Sequence, residues 1–243
     1  MTLHFYDEHF AFLMRLQPDT YPQEVSQFIR ERTHLNSEAS IFDQGCGIGR
    51  ISQALTRLGF KVTGLDQNPH YIAEARQLEQ EQPTANKTRF ILGDARHYHE
   101  PESYDLVISW HTSFGHFSRD QDNQALLTAA FNLLKPGGQL LLDYANFHYV
   151  QANFQSCLKQ TYLSPDGPLE VWRHSELEKP HAQTPVLKQI WEFRYPDGHI
   201  AQRPGNICAY TPEQLIHFLE NAGFDYQTAY ADHSGTPFDN QCP

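Results

Sequence analysis

The 243-residue sequence has few cysteines, no long apolar run and no cluster of basic residues. Its four cysteines are dispersed without a C-x-x-C pair, which argues against a disulfide framework and against a cysteine-rich zinc site. No stretch approaches the roughly 20 apolar residues that a membrane-spanning helix needs. The first residues, MTLHFYDEHF, resemble neither a signal peptide nor a transit peptide. These absences predict a cytoplasmic protein with no membrane partner.

Acidic residues outnumber basic ones, 29 to 18, and the net charge is −11. Affinity for nucleic acid comes mainly from basic side chains that neutralise phosphates, so nucleic acid is not an expected partner. A negative surface weakly favours neutral or cationic small molecules as ligands. The sequence is compatible with a monomer or a homodimer.

The stretch Ile41–Arg50, IFDQGCGIGR, joins the apolar end of a strand to an amphipathic helix through three alternating glycines. Gly45, Gly47 and Gly49 let the backbone turn tightly and approach a ligand closely. The N-terminus of the following helix offers unpaired N–H groups to a polar or anionic group. The stretch therefore predicts a cofactor loop of the nucleotide-binding kind.

The spacing of these glycines distinguishes two cofactor classes. The dinucleotide fingerprint G-x-G-x-x-G would place its third glycine at position 50, which is Arg50. The sequence has D-x-G-C-G-x-G instead, with Asp43 two residues ahead of the first glycine. This disfavours an NAD(P)-dependent oxidoreductase, which remains an alternative. The pattern resembles the first motif of class I S-adenosylmethionine (SAM) methyltransferases.

Strand-like and helical segments alternate after this loop, and five strand-like segments carry a polar residue near the carboxyl end. These residues are Asp43, Asp66, Asp94, Ser109 and Asp143. The alternation predicts an α/β fold with a doubly wound, mostly parallel, Rossmann-like sheet. In such a sheet the ligand lies beyond the carboxyl ends of the strands.

Asp66 ends the second predicted strand and lies 17 residues after Gly49. An acid at an offset of about 20 residues reaches the ribose hydroxyls in nucleotide-binding folds. A carboxylate can accept hydrogen bonds from two adjacent hydroxyls. The alternative is a helix-capping role, because Asn68 and Pro69 begin a helix directly afterwards.

The second half of the chain changes to antiparallel strand patterns. LEVWRHSELE and VLKQIWEFRYPDGHIAQ alternate in polarity, with a turn signal at Pro196–Gly198. Thr211, Pro212 and Gln214 then predict a capped helix start, and DYQTAYAD predicts a sixth strand. Four parts follow: an N-terminal helical lid (1–40), a SAM-binding core (41–145), an antiparallel β insertion (146–209), and a C-terminal helix and strand completing the core (210–243).

Several stretches match one family in its usual order and cover most of the chain. They are IFDQGCGIGR, VTGLDQNPHYIAEA, FILGDAR, YDLVISWHTSFGHF, LLKPGGQLLLD and YTPEQLIHFLENAGF. The chain thus resembles a class I SAM-dependent methyltransferase, of a bacterial small-molecule branch with an SFGHF loop and a β-hairpin insertion. The resemblance implies methyl transfer from SAM to a nitrogen, oxygen or carbon atom of a small molecule, releasing S-adenosylhomocysteine, with Val171–His199 roofing the acceptor. A non-catalytic SAM-binding or interaction protein is the alternative.

The resemblance also implies which residues bind the cofactor. Asp66 would hold the ribose, Asp94 would accept from the adenine amino group, and the Ser109 carbonyl would meet the cofactor's amino group. The predicted set is Asp43, Gly45, Cys46, Gly47, Gly49, Arg50, Asp66, Gln67, Asp94, Ala95, Arg96, Ser109 and Trp110, with Tyr6 and Tyr21 from the lid.

His111 and His116, after the fourth strand, are the candidate catalytic residues, because each can titrate near neutrality. A base is needed only if the acceptor loses a proton, and either histidine could instead orient backbone or face solvent. Tyr144 and Asn146 are alternative acceptor contacts. No zinc-ligand spacing repeats among the histidines, so no metal is expected.

The C-terminus departs from the family pattern. Relatives usually finish with a seventh strand between strands five and six, whereas this sequence stops at SGTPFDNQCP. The sequence therefore predicts an exposed edge or gap beside the fifth strand. We also expect a lower stability than that of a complete relative.

Overall fold

The computed structural model describes residues 6–81, 86–111, 113–178 and 184–242. Within these ranges the chain forms one parallel and one antiparallel β-sheet. The parallel strands are β1 (Ser40–Gln44), β2 (Lys61–Asp66), β3 (Arg89–Leu92), β4 (Tyr104–Ser109) and β5 (Leu134–Leu142). The antiparallel strands are β6 (Cys157–Ser164), β7 (Gly167–Glu178), β8 (Val186–Arg194) and β9 (Ile200–Cys208). The helices are α1 (Glu8–Leu16), α2 (Thr20–Thr33), α3 (Arg50–Arg57), α4 (Pro69–Glu81), α5 (Asp120–Leu133), α6 (Phe147–Ala152) and α7 (Pro212–Asn221).

The parallel sheet has the strand order β3-β2-β1-β4-β5, so the predicted doubly wound α/β fold is confirmed. The chain runs outward from β1 to β3 and returns to β4, which places the topological switch between β1 and β4. Asp66 and Ser109 are the last residues of their strands, and Asp43 is the second-last residue of β1. These residues therefore meet at one edge of the sheet, where ligands bind in open α/β folds.

Helices cover both faces of this sheet. On one face Ile41 and Ile108 pack with Ile29 of α2, and all three side chains are fully buried. On the other face Phe42 packs with Leu133 of α5. Burial on both faces explains the continuous apolar runs of these strands.

The N-terminal region forms the two predicted helices, separated at residues 17–19. Only α2 packs on the parallel sheet. α1 instead buries Phe10 and Leu13 against Leu169, Val171 and Phe193 of the antiparallel sheet. α1 therefore lies between the inserted sheet and the rest of the chain.

The insertion is a four-stranded antiparallel sheet in the order β6-β7-β8-β9. The two predicted alternating segments correspond to β7 and to the β8–β9 hairpin, whose turn includes Pro196–Gly198. β6 was not predicted, because most of its side chains are exposed and its sequence, CLKQTYLS, alternates poorly. Edge strands of this kind carry a weak sequence signal.

The predicted sixth strand is wrong. Residues 225–229 are irregular, and Tyr230 makes only an isolated bridge with Pro237. Tyr230 packs edge-on against Phe28 of α2 at 5.5 Å between ring centroids, and the Arg32 guanidinium lies 5.1 Å from its ring centroid. The segment is thus held by α2, and the parallel sheet of the described residues has five strands.

Sequence signals mark the start of α7 and lie near the start of β5. α7 begins with the predicted capping box, in which Thr211 and Gln214 satisfy each other's backbone N–H groups. β5 begins at Leu134 and includes Pro136–Gly138. A register shift in the β4–β5 pairing accommodates these residues. No helix in the described ranges has the length and apolar character of a membrane span.

Candidate cofactor and acceptor site

A large cavity lies beyond the carboxyl ends of the parallel strands. Its empty space, including the part open to solvent, is about 1200 Å³. Of the predicted residues it is lined by Tyr6, Tyr21, Asp43, Gly45, Cys46, Gly47, Arg50, Asp66, Gln67, Asp94, Ala95, Trp110, His111 and His116. The residues missed from sequence are Met14, Gln17, Pro22, Gln44, Ile48, Ile51, Leu65, Asn68, Tyr71, Gly93, Ser113, Phe117 and Leu126.

The Asp66 carboxylate is held by backbone N–H groups at the centre of this cavity. Gly47 N–H donates to one oxygen at 3.0 Å, and Asn68 N–H donates to the other at 2.8 Å. Burial raises the pKa of Asp66, and these backbone hydrogen bonds counter the rise. A carboxylate has about four acceptor positions, so both oxygens can still accept from hydroxyls.

Asn68, rather than Asp66, caps the following helix. The Asn68 side-chain oxygen accepts from His70 N–H at 2.9 Å, while its amide donates to the Tyr6 carbonyl at 2.7 Å. The helix-capping role that was the alternative for Asp66 therefore belongs to Asn68. This leaves the Asp66 carboxylate available to a ligand.

Two of the three glycines in the loop, Gly47 and Gly49, have different roles in the structure. Gly47 has φ +57° and lines the cavity, as predicted for a backbone that meets a ligand. Gly49 does not line it: a Cβ there would lie 2.5 Å from the Phe90 ring of β3. The absence of a side chain at Gly49 therefore allows the Phe90 ring to pack against the loop, and contact of Gly49 with the cofactor remains a prediction.

Asp94 lines the cavity through a carboxylate that is already paired. The Arg96 guanidinium donates to it at 2.6 Å, and this hydrogen bond lowers the pKa of Asp94. Arg96 also donates to Asp122 at 2.9 Å and lies 4.1 Å from the Phe117 ring centroid. Arg96 is thus outside the cavity lining, contrary to prediction, and supports two residues of its wall.

Ser109 is another predicted residue that the structure places outside the cavity lining. Its carbonyl accepts the backbone N–H of Asp143 at 2.8 Å in the sheet. The next two residues, Trp110 and His111, line the cavity instead. The part of the cavity wall next to β4 is therefore formed by the residues that directly follow the strand.

Arg50 joins the N-terminal helices to the cofactor loop. Its guanidinium donates to the carbonyls of Gln17 and Pro18, each at 3.0 Å, and to the carbonyl of Met14. These carbonyls lie at the C-terminal end of α1, where helix carbonyls lack intrahelical partners. Arg50 thus fixes the helical connection over the cavity.

Two buried side chains at the end of β1 face the same space. Ser52 Oγ donates to the Asp43 carboxylate at 2.5 Å, yet burial raises the pKa of Asp43 to about 7, and the nearby Asp66 adds to the rise. Gln44 is only 2 % exposed, and its side-chain oxygen has no hydrogen-bond donor among the described residues. The Gln44 oxygen is thus a buried acceptor without a donor in the described part of the chain, which is rare in folded proteins.

Comparison with known proteins identifies the domain. Residues 41–138 match the family model described as a methyltransferase domain. This segment is similar to the methyltransferase-domain family. The ubiquinone biosynthesis O-methyltransferase of Pseudomonas fluorescens (strain Pf0-1) is 30% identical over 128 residues, which are 53% of this chain and 53% of that protein. The chain therefore spans about half the length of that relative.

Solved methyltransferase structures share the whole fold of this chain. The CcbJ methyltransferase from Streptomyces caelestis has a TM-score of 0.78 at 21% identity, covering 93% of this chain and 92% of that one. SAM-bound CalS10, an amino pentose methyltransferase from Micromonospora echinaspora, has a TM-score of 0.69 at 19% identity, covering 95% and 94%. The predicted Rossmann-like methyltransferase fold is thereby confirmed.

The cavity of the methyltransferase domain fits SAM by its donor and acceptor set. Asp66 offers two partly used carboxylate oxygens for the ribose. Leu65, Ala95, Phe117 and Leu126 line an apolar part of the wall suited to a flat base.

His111 lies in strained backbone beside the lid. It has φ +53°, a region that non-glycine residues rarely adopt, and its ring stacks on Tyr21 with centroids 5.1 Å apart. Burial and the Arg50 charge lower the pKa of His111, against an opposing effect of Asp143. His111 is therefore predominantly neutral at pH 7.

His116 connects three segments of the chain at the cavity. Its Nε2 lies 2.7 Å from the Tyr6 hydroxyl, and its Nδ1 lies 3.2 Å from the Asn206 carbonyl on β9. Because a carbonyl can only accept, Nδ1 must carry the hydrogen of the neutral ring. Nε2 then accepts from Tyr6 O–H.

The roof of the cavity is formed by the N-terminal helices. Tyr6, Met14 and Tyr21 line it, whereas no described residue of β6–β9 does. The insertion reaches the site through the Asn206 carbonyl and through an ion pair between Arg203 and Asp7. A roofing role for Val171–His199 remains a prediction and would act through α1.

The alternative acceptor contacts, Tyr144 and Asn146, have hydrogen-bond partners within the protein. Tyr144 O–H donates to the Cys208 carbonyl, and Asn146 caps α6 and donates to the Cys242 carbonyl at 2.7 Å. Neither residue lines the cavity. The described part of the chain has no group of three or more His, Cys, Asp or Glu residues that could hold a metal.

Proposed function

We propose that the protein transfers a methyl group from SAM to a nitrogen, oxygen or carbon atom of a small-molecule acceptor. The observation that carries the proposal is the Asp66 carboxylate, held by Gly47 and Asn68 N–H groups at the strand edge of a methyltransferase domain. When bound, SAM supplies an electrophilic methyl group on a sulfonium, so the protein's task is alignment and exclusion of water.

The chain's own residues support this task. Asp66 and the Gly47 backbone would fix the cofactor, while Arg50 holds the α1–α2 connection over it through three carbonyls. Tyr6 and Tyr21 would limit solvent access from the lid side. The names of similar proteins, an O-methyltransferase and an amino pentose methyltransferase, support small molecules rather than nucleic acid as acceptors.

Calorimetric titration with S-adenosylhomocysteine tests the cofactor assignment. We expect roughly micromolar binding, because the site offers two ribose acceptors and an apolar wall. NADH is the control ligand, since the loop lacks the third glycine of the dinucleotide fingerprint. Tighter binding of NADH, or no binding of S-adenosylhomocysteine by protein that melts cooperatively, would refute the proposal.

We further propose that His116 receives a proton from acceptors that must lose one. Its Nδ1 is committed to the Asn206 carbonyl, which leaves Nε2 as the basic nitrogen at the cavity. Long-range ¹H–¹⁵N NMR at pH 8 should show the Nδ1–H tautomer, with Tyr6→Phe leaving the tautomer unchanged. Observation of the Nε2–H tautomer would show that His116 is oriented the other way and cannot play this role.

A further inference from the structure

The inner face of the inserted sheet has a gap between two apolar patches. One patch, with Val171 and Phe193, packs on α1. The other, with Leu187 and Ile207, packs on Phe147 of α6. Since alternate residues of a strand share a face, the residues between the patches also point inward. On β7 and β8 these are Arg173, Ser175, Gln189 and Trp191, here called the polar strip.

Arg173 is the only described residue of this strip with a formal charge, and its charge has no partner. Its Nε is buried and has no hydrogen-bond acceptor among the described residues. Its guanidinium lies 5.4 Å from the Trp191 ring centroid, and it forms no ion pair with a described carboxylate. The residues outside the described ranges include no Asp or Glu, so the chain has no further side-chain carboxylate to offer.

The other polar groups of the strip are satisfied by each other. Gln189 donates to Ser175 Oγ at 3.3 Å, and Trp191 Nε1 donates to the Gln189 side-chain oxygen at 3.2 Å. Arg203, two strands away in the same row, pairs instead with Asp7. No group of the strip therefore compensates the Arg173 charge.

An uncompensated, half-buried charge is costly unless something pairs with it. Burial lowers the pKa of Arg173, but a guanidinium remains charged at any ordinary pH. Its planar fork matches the geometry of a carboxylate or phosphate and can donate two parallel hydrogen bonds. The strip is thus preformed for an oxyanion.

We propose that the polar strip binds an oxyanion of the acceptor, a carboxylate or a phosphate, through Arg173. This inference rests on the proposed function. Arg173 lies two strands and three residues from Asn206, whose carbonyl orients His116, a separation of roughly 14 Å in an antiparallel sheet. The acceptor is therefore an elongated anion whose nucleophile lies at His116 while its charge lies at the strip. A net charge of −11 would repel such a ligand, which makes a local cation necessary.

Anion-dependent thermal stability of the full-length protein tests the proposal. Inorganic phosphate and acetate are titrated separately at constant ionic strength, against chloride. We expect the melting temperature of the wild-type protein to rise with one or both anions, since a ligand of the native state stabilises it. The anion with the lower dissociation constant identifies the class. Arg173→Gln should weaken that binding roughly ten- to a hundredfold, and Arg173→Lys should weaken it less.

Arg194→Gln is the matched control, because Arg194 lies on the outer face of the same sheet and is exposed. It should leave the anion response unchanged. An equal response in Arg173→Gln, or none in the wild-type protein, would overturn the proposal. Arg173→Met separates a binding role from a packing role: without added anion it should melt no lower than wild type, whereas loss of packing would lower its melting temperature. S-adenosylhomocysteine titration of the same variants reports on the proposed function independently.

Discussion

Replacing Asp66 by asparagine should weaken binding of S-adenosylhomocysteine by about 1.5–3 kcal/mol, or roughly 10- to 150-fold. The substitution keeps the shape of the side chain but removes the charge that strengthens hydrogen bonds to ribose hydroxyls. It also places an amide NH₂ where Gly47 or Asn68 N–H now donates to a carboxylate oxygen. Calorimetric titration at pH 7 measures the affinity directly.

Asp105→Asn is the matched control for this prediction. Asp105 lies at the opposite end of the same sheet, where it accepts from Ser40 N–H at 2.8 Å and pairs with Lys135 at 2.8 Å. Its substitution should lower stability without changing the affinity. Equal affinity of wild type and Asp66→Asn would remove Asp66 from the site. A loss of affinity in both variants would show a general effect on the fold.

The parallel sheet and its ligand edge could be predicted because each rests on local signals. Strand ends followed by Asp66 or Ser109, and the glycine-rich turn after β1, are contiguous in sequence. Doubly wound topology then brings these ends together without further information. Twelve of the fifteen predicted cofactor residues line the cavity for this reason.

The predicted cofactor residues that lie outside the cavity lining include two whose partners are distant in sequence. Gly49 was predicted to meet the cofactor, but the nearest obstacle to its Cβ is Phe90, on β3. Arg96 lies outside the cavity lining, where it donates to Asp122 at the start of α5 and contacts the ring of Phe117 in the preceding loop. A sequence motif indicates that such residues lie near a site, whereas contacts with distant residues decide whether they line the cavity or support the residues that line it.

The inserted sheet shows a different limit of sequence patterns. Alternation correctly predicted β7, β8 and β9, but it could not say that the inner face would be divided between α1 and α6. Arg173 looks like any other charged residue in an alternating strand. Only the register shows that it lies on the inner face, in line with Trp191 and Arg203.

The predicted sixth strand is absent because its segment packs elsewhere. Tyr230 of DYQTAYAD contacts Phe28 and Arg32 of α2 and does not pair with the parallel sheet. The outer edge of β5 is left without a paired strand in the described ranges. This agrees with the expected edge or gap, which arises here from the path of the C-terminal segment.

Asp43→Asn should make the protein more stable than wild type at pH 8, by up to about 4 kcal/mol, and similar to it near pH 4. In the unfolded chain the carboxyl ionises near pH 4, whereas burial raises its pKa in the folded chain to about 7. Between these values the Asp43 carboxyl binds more protons in the folded state, so its contribution to the free energy of unfolding falls as pH rises and is constant above about pH 7. Asparagine does not ionise, and Ser52 still offers it a hydrogen-bonding hydroxyl. Urea unfolding at several pH values measures the difference.

Asp94→Asn provides a control of opposite sign within the same cavity. Hydrogen bonding from Arg96 lowers the pKa of Asp94, so this carboxylate stabilises the folded state above its unfolded pKa and loses that effect as pH falls. Asp94→Asn should therefore destabilise the protein at pH 8, and the difference from wild type should shrink as pH falls below the unfolded pKa near 4. Parallel stability curves for wild type and Asp43→Asn would mean that Asp43 is ionised throughout. The two variants together thus distinguish a carboxylate that burial destabilises from one that a cation stabilises, although both line the same cavity.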